Sequence, residues 1–239
     1  MSNLQGTVIT WLGHATVLIE TARGTSILID PFIKQSPTYP KNFKLPEKLD
    51  LLLLTHAHED HIADAIPVAK KSHPSVLGTF ELVTWLAGEG VKNTVGMNLG
   101  GSFVFQDVTA TMVEAKHSSG IQDGDSIIYG GIATGFVLAI EGGPRLYHSG
   151  DTCAFSDMQI IRDLYAPELA MLPIGDRYTM GPRGAALATQ FLGVNTVLPI
   201  HFGTFPFLTG TPDQLKKALE DRGLSGVEVM MLQPGESIR

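Results

Sequence analysis

Thr55-His56-Ala57-His58-Glu59-Asp60-His61 is the stretch on which the reading of this chain turns. It follows Leu51-Leu52-Leu53-Leu54, an apolar run of the kind found in strands covered on both faces. Side chains alternate along an extended segment, so His56 and His58 point to one side and can grip one ion together. Downstream, Ile62, Ala65, Ile66 and Ala69 recur at helical spacing, which predicts a helix from Asp60 to about Lys71 with Pro67 as a candidate kink. The chain turns where that helix starts, and such a turn can direct Asp60 and His61 at a neighbouring second ion. Imidazole and carboxylate without thiolate suit zinc, manganese, iron or nickel. The plain alternative is a fortuitous His-rich polar turn.

Residues further along weigh against that alternative. The other central apolar runs also end abruptly in His or Asp. Ile27-Leu28-Ile29 ends in Asp30, Leu146-Tyr147 leads to His148 and Asp151, and Val197-Leu198-Pro199-Ile200 ends in His201. Buried strands that open into a crevice at their C-terminal ends are where such folds place ligand sites. His117 follows a β-rich segment in the same way. The glycine turn Ser149-Gly150-Asp151 can bring a carboxylate close to two ions. Taken singly, His117, His148, Asp151 and His201 are weak signals; position lifts His117, Asp151 and His201, while for His148 a satisfied structural histidine is the favoured reading.

The remainder of the chain alternates short apolar runs with Gly, Pro and Asp. Strands are expected at Val8–Trp11, Thr16–Glu20, Ser26–Asp30, Val76–Thr79, within Thr94 to Ala115, and at Phe136–Glu141, Arg145–His148, Leu169–Pro173, Thr196–Ile200 and Val227–Met231. Helices are expected at Glu81–Glu89, Gly184–Leu192 and Thr211–Arg222, the last capped by Thr211. Strands first, then helix and strand in alternation, predict two sheets sandwiched between helices. No linker composition interrupts the 239 residues, so a single domain over 1–239 is expected.

Composition narrows the function classes. With 44% hydrophobic and 17% charged residues, the chain can build a substantial core. A formal charge of −7 and no basic run longer than Lys70–Lys71 argue against nucleic acid as a partner. Cys153 is the one cysteine, which excludes an intrachain disulfide and an all-thiolate site. It is expected to be a small buried residue. Met1 to Thr10 shows no leader pattern, and no apolar run approaches the length needed to cross a bilayer. A cytoplasmic protein with no membrane association is expected.

The segment His56-x-His58-x-Asp60-His61, with His117, Gly150-Asp151-Thr152 and His201 in that order, resembles the metallo-β-lactamase superfamily. The resemblance spans essentially the whole chain. It implies an αββα sandwich: two mixed β-sheets packed face to face, helices on both outer faces, and a binuclear site in the crevice between the sheets. It further implies that one metal is held by His56, His58 and His117. The other would be held by Asp60, His61 and His201, with Asp151 bridging. Trp11-Leu12-Gly13-His14-Ala15, and Pro173-Ile174-Gly175 followed by Tyr178-Thr179-Met180-Gly181-Pro182, resemble a narrower branch. That branch is the small bacterial metal-dependent hydrolases similar to L-ascorbate 6-phosphate lactonase.

On this reading the cofactors are two divalent ions, zinc or manganese first, iron or nickel as alternatives. The activity expected is hydrolysis of a small ester, lactone or phosphoester. Asp60 is the candidate to orient the nucleophile or carry its proton, and His14 and His148 are candidates for substrate contact or proton transfer. Asp30 is the first choice to fix a ligating imidazole, since such a ring usually donates its other N–H to a carboxylate. Arg177 and Tyr178 are candidate substrate contacts, and Arg177 would favour an anionic group; a surface arginine is the equal alternative. Ser118–Gly131 and Thr204–Thr211 are candidate pocket walls, with Phe202, Phe205 and Phe207 as an apolar rim. Self-association is the one further partner the branch suggests. Against the hydrolase stand a redox member of the same fold, a metal-binding module without catalysis and, disfavoured by charge, a nuclease.

Overall fold

Alternation along the central strands sorts their side chains into three apolar layers. Ile27, Ile29, Leu51 and Leu53 belong to one core, while Leu28 and Leu52, one residue out of phase, belong to another. A buried strand presents both faces to apolar neighbours, so such a sequence can only be accommodated between two layers. In the computed structural model, which describes residues 4–239, these layers form an αββα sandwich. The first three residues of the stretch read for a leader lie outside the described residues.

The first sheet begins with β1 (Val8–Trp11), β2 (Val17–Glu20) and β3 (Ser26–Ile29), an antiparallel meander. It continues in parallel through β4 (Leu51–Leu53), β5 (Ser75–Thr79) and β6 (Thr94–Met97). Helices α1 (Glu59–Ile62), α2 (Ala65–Ser72) and α3 (Phe80–Gly88) form the connections and cover its outer face. The second sheet holds β7 (Ser102–Phe105) and β8 (Val108–Glu114). A separate hairpin of β9 (Gly120–Asp123) and β10 (Ser126–Tyr129) follows. The sheet resumes with β11 (Thr134–Ile140), β12 (Arg145–His148), α4 (Met158–Tyr165), β13 (Leu169–Pro173) and α5 (Pro182–Leu192). It ends with β14 (Thr196–Ile200), α6 (Pro212–Glu220) and β15 (Glu228–Val229). The closing β16 (Ser237–Ile238) returns to the first sheet and pairs antiparallel with β1. Both sheets have seven strands and mix parallel with antiparallel pairing.

Several expectations are corrected. The helix read from Asp60 to Lys71 is two helices broken at Ala63–Asp64. The cause is Asp64: its Oδ2 accepts from the N–H groups of Ile33 and Lys34 at 2.7 and 2.9 Å, and its own N–H donates to the Pro31 carbonyl. Pro67 falls in the first turn of α2, where a missing N–H costs nothing, and so does not mark the break. The β-rich stretch from Thr94 to Ala115 is divided between the sheets, β6 joining the first and β7–β8 the second. The strand read over Val227–Met231 pairs only at Glu228–Val229. Cys153 is exposed, not buried, because it lies in the loop leading from Asp151 to α4. The cap at Thr211 is as read: Thr211 and Gln214 exchange side chain–backbone hydrogen bonds in a capping box. Among the described residues, no helix is long and apolar enough to cross a membrane.

Candidate metal centre

The C-terminal ends of β3, β4, β8, β12 and β14 meet at one edge of the sandwich, and the candidate residues lie just beyond them. Asp30 follows β3, His56 follows β4, and His58, Asp60 and His61 lie at the start of α1. From the second sheet, His117 follows β8, Asp151 follows β12 and His201 follows β14. His14 occupies the turn between β1 and β2. His14, Asp30 and His201 have φ of 50°, 47° and 55°, the left-handed region that residues with a Cβ enter at a cost of about 1–2 kcal/mol each. Backbone strain of this kind collects at functional sites, held in place by the surrounding structure.

Three groups of potential ligand atoms are present among the described residues; Asp30, His56 and His61 form one on the outer side, and the other two face the crevice. Of these two, His56, His58 and His117 form one, and His14, Asp60, His61 and His201 the other; within each, the candidate atoms lie within 4.8 Å of one another. In the first, His56 Nε2 is 3.0 Å and His117 Nε2 3.3 Å from His58 Nδ1. Asp151 stands between the groups. Its Oδ1 is 3.4 Å from His61 Nε2, and its Oδ2 is 3.0 Å from His201 Nε2 and 3.8 Å from His117 Nε2.

Asp30 sets the protonation of the imidazoles. Its Oδ2 accepts from His61 Nδ1 at 2.8 Å and from the Thr55 hydroxyl at 2.6 Å. Because the Thr55 proton is committed to Asp30, Thr55 Oγ1 accepts from His56 Nδ1 at 3.0 Å. Both rings therefore carry a proton on Nδ1. For His56 this leaves Nε2, the atom facing the cluster, as a lone pair. Asp30 is itself fixed, since its Oδ1 accepts from the Thr55 N–H and its carbonyl from the Thr16 hydroxyl.

His14 joins the second group through Asp60, with Nε2 3.0 Å from Asp60 Oδ2 and Nδ1 2.8 Å from Thr204 Oγ1. Burial and the neighbouring His201 push the His14 pKa down to about 4, so the ring is neutral at pH 7. Asp60 is held well below the usual carboxylate range: burial opposes its charge, but the hydrogen bond from His14 and the nearby His61 prevail. An ionised carboxylate only accepts, so His14 donates from Nε2 and accepts the Thr204 hydroxyl at Nδ1.

Electrostatics divide the remaining groups. Burial, then His61, holds His56 well below its ordinary value, and burial first also lowers His58 and His117. His61 goes the other way: burial opposes a charge there, but Asp151 and Asp30 together raise it well above its ordinary value. Asp151 is held far down by His201 and His61 in spite of complete burial.

His148 is not among the converging groups. Its Nε2 donates to the Ala15 carbonyl at 3.0 Å and its Nδ1 accepts from the Gly150 N–H at 3.1 Å. Fully buried with both nitrogens engaged by backbone, it has neither a free proton position nor access to a substrate; of the two readings the structural one holds, and the candidate role in substrate contact or proton transfer is corrected. It shapes the turn that carries Asp151. Arg177 and Tyr178 lie on the loop after β13; Tyr178 lines a cavity of about 340 Å³ together with Asp60 and His201, whereas Arg177 is not among its lining residues and lies over the rings of Tyr178 and Phe207. Phe205 and Phe207 line the same cavity, but Phe202 stacks on Trp11 at 5.0 Å and packs against the cores, so it is not part of the rim. Thr55, Thr16 and Thr204 were not singled out from sequence, because a threonine at a strand end carries no signal until its partner is known.

The comparisons agree with this geometry. The family model described as the β-lactamase superfamily domain matches residues 25–202. The chain belongs to the metallo-β-lactamase superfamily. Within the superfamily it is 50% identical to a UPF0173 metal-dependent hydrolase of Koribacter versatilis, over 98% of this chain and 99% of the relative. A similar relative from Solibacter usitatus is 48% identical over 97% and 99%. Among solved structures, the metallo hydrolase Igni18 of Ignicoccus hospitalis superposes with a TM-score of 0.82, at 34% identity and 97% coverage of each chain. This metallo-β-lactamase superfamily chain therefore groups with proteins named metal-dependent hydrolases.

Proposed function

We propose that the protein is a metal-dependent hydrolase that holds two divalent ions, zinc or manganese first, and opens a small ester, lactone or phosphoester. The observation that carries this reading is a set of buried polar atoms left without partners at the convergence. His61 Nε2, Asp151 Oδ1 and both ring nitrogens of His201 are buried with no hydrogen bond. Buried polar atoms are almost always satisfied, and so tight a cluster of imidazole nitrogens and a carboxylate is satisfied by a cation, which at His61 Nε2 would take the place of a proton. The donor set fits such ions: imidazole nitrogens and carboxylate oxygens, with no thiolate. His56, His58 and His117 would hold one ion, and Asp60, His61 and His201 the other, with Asp151 shared.

Bound divalent ions supply Lewis acidity, bringing the pKa of water toward neutrality and polarising the oxygen of the group under attack. The chain's own residues do the rest. Asp30 holds protons on the outer nitrogens of His56 and His61, so that their inner nitrogens face the centre correctly. His14 anchors Asp60 Oδ2 and so fixes the carboxylate at the mouth of the cavity, where it would orient the attacking water. Asp60 is the one acidic group of the centre that reaches the open cavity, with its side chain 33% exposed. Mass-spectrometric metal analysis of the natively purified protein, beside His56→Ala/His58→Ala, tests the proposal. About two equivalents of a transition metal, reduced in the variant, are expected. A metal-replete preparation with none bound would overturn it.

A further inference from the structure

The cavity beside Asp60 and His201 is walled by aromatic side chains, and its construction bears on the substrate. Phe32 and Leu208 form a buried floor, at 4% and 3% exposure. Phe205 and Phe207 stack at 5.4 Å, and Tyr178 meets Phe207 edge-on at 5.5 Å, continuing the wall to the rim. Tyr178 is 57% exposed and Phe207 37%. Large aromatic surface left in water next to a reactive centre marks a binding surface. The loop presenting it is strained to do so: Asp176 and Arg177 have φ of 68° and 59°, two consecutive left-handed residues neither of which is glycine. That conformation is held by Asp176, whose Oδ1 accepts from the Arg177 N–H and whose carbonyl accepts from the Tyr178 N–H. Arg177 lies over the rings of Phe207 and Tyr178, at 5.1 and 5.6 Å, and so braces the rim. The carboxylates lining the cavity, Glu59 and Asp60, lie at its inner end beside the candidate metal centre, and Arg177, the cation near it, is engaged over the outer rings.

Resting on the hydrolase reading, we infer that the substrate is an ester or lactone bearing an uncharged aryl or alkyl arm, which fills this aromatic pocket while the scissile bond lies at Asp60 and His201. The volume is adequate, since an apolar cavity of about 150 Å³ suffices for a benzene ring. A carboxylate-ended arm would meet no cation among the lining residues and is disfavoured.

The test uses metal-loaded full-length protein and γ-lactones carrying no arm, alkyl arms of one to four carbons, or the four-carbon arm ended by a carboxylate. Binding of the matching substituted tetrahydrofurans, which have no scissile bond, is measured in parallel by calorimetry. Expected are a rise of about fourfold per methylene in kcat/KM and in affinity, loss of the gain for the carboxylate-ended arm, and a shallower rise in Phe207→Ala and Tyr178→Ala. A flat series with the armless lactone still hydrolysed overturns the pocket alone. No lactone hydrolysed, with affinity still climbing along the ether series, overturns the lactone reading and upholds the pocket; a flat ether series overturns the pocket whatever the turnover. Preference for the carboxylate-ended arm also overturns it.

Discussion

The backbone N–H of His201 donates to the carbonyl of His14 at 2.8 Å, and their rings lie with centroids 3.8 Å apart. One residue leaves the first sheet and the other the second, both in left-handed conformation. This bond ties the two sheets together beside Asp60, His61 and His201. It also fixes His14 against Asp60, which leads to the first prediction. His14→Gln should lower kcat/KM about 10–100-fold, the usual effect of removing an outer partner. Metal analysis should show the first group still loaded. Unchanged kinetics would show that Asp60 needs no anchor.

Asp30→Asn keeps the shape of the side chain but removes the charge that both Nδ1 protons see. Affinity should fall about 10–100-fold, measured by competition with a chromogenic chelator. Both groups should weaken, since Asp30 reaches His61 directly and His56 through Thr55. Weakening confined to one group would exclude the shared role.

Metal uptake should release protons. In metal-free protein the carboxylates of Asp151 and Asp30 raise His61 well above its ordinary value, so at pH 7 the ring carries a proton that an ion at Nε2 must expel. Affinity should therefore rise with pH from 6 to 8, and calorimetry in buffers of different ionisation enthalpy should report a net release. The sign for stability is separate. His61, raised, adds stability below its unfolded value near 6.5 that is lost as pH rises through the folded one. His14, lowered to about 4, adds stability above 6.5 that is lost as pH falls toward 4. With His56, His58, His117 and His148 also lowered, the metal-free protein should lose Tm between pH 6.5 and 4.

Gly150→Ala should damage fold and site together. A Cβ there would lie 2.5 Å from the Thr134 carbonyl oxygen and 2.8 Å from Thr55 Cβ, on a backbone with φ of 59°. The conformation alone costs about 1–2 kcal/mol, before the clash, and thermal unfolding should show a Tm lower by about 5 °C or more. Loss of metal at Asp151 should accompany it.

How much of this was legible beforehand follows from how local each signal is. The apolar runs ending in Asp30, His56 and His201 carry their strand, its burial and its exit on a few neighbouring residues, so sandwich and convergence could both be read. The break at Ala63–Asp64 could not, because Asp64 is held by Ile33 and Lys34, some thirty residues away. The short strand Ser237–Ile238 has no pattern of its own; only its pairing with Ile9 and Thr10 makes it one. His148 and His201 both end apolar strands, and the sequence only leans toward a structural role for His148. What separates them is the backbone of Ala15 and Gly150, which fills both nitrogens of one and none of the other.

The two ligand groups each combine residues from both sheets: His56 and His58 with His117, and Asp60 and His61 with His201. Half a ligand set has little hold on an ion, so tight chelation demands that the sandwich already be docked. Ions held there as proposed would act as rivets, and by linkage their occupancy would report how firmly the two halves are pressed together. A substitution deep between the sheets, such as Phe136→Ala, would then be felt first at a distance, as a leaking metal, before the protein unfolds.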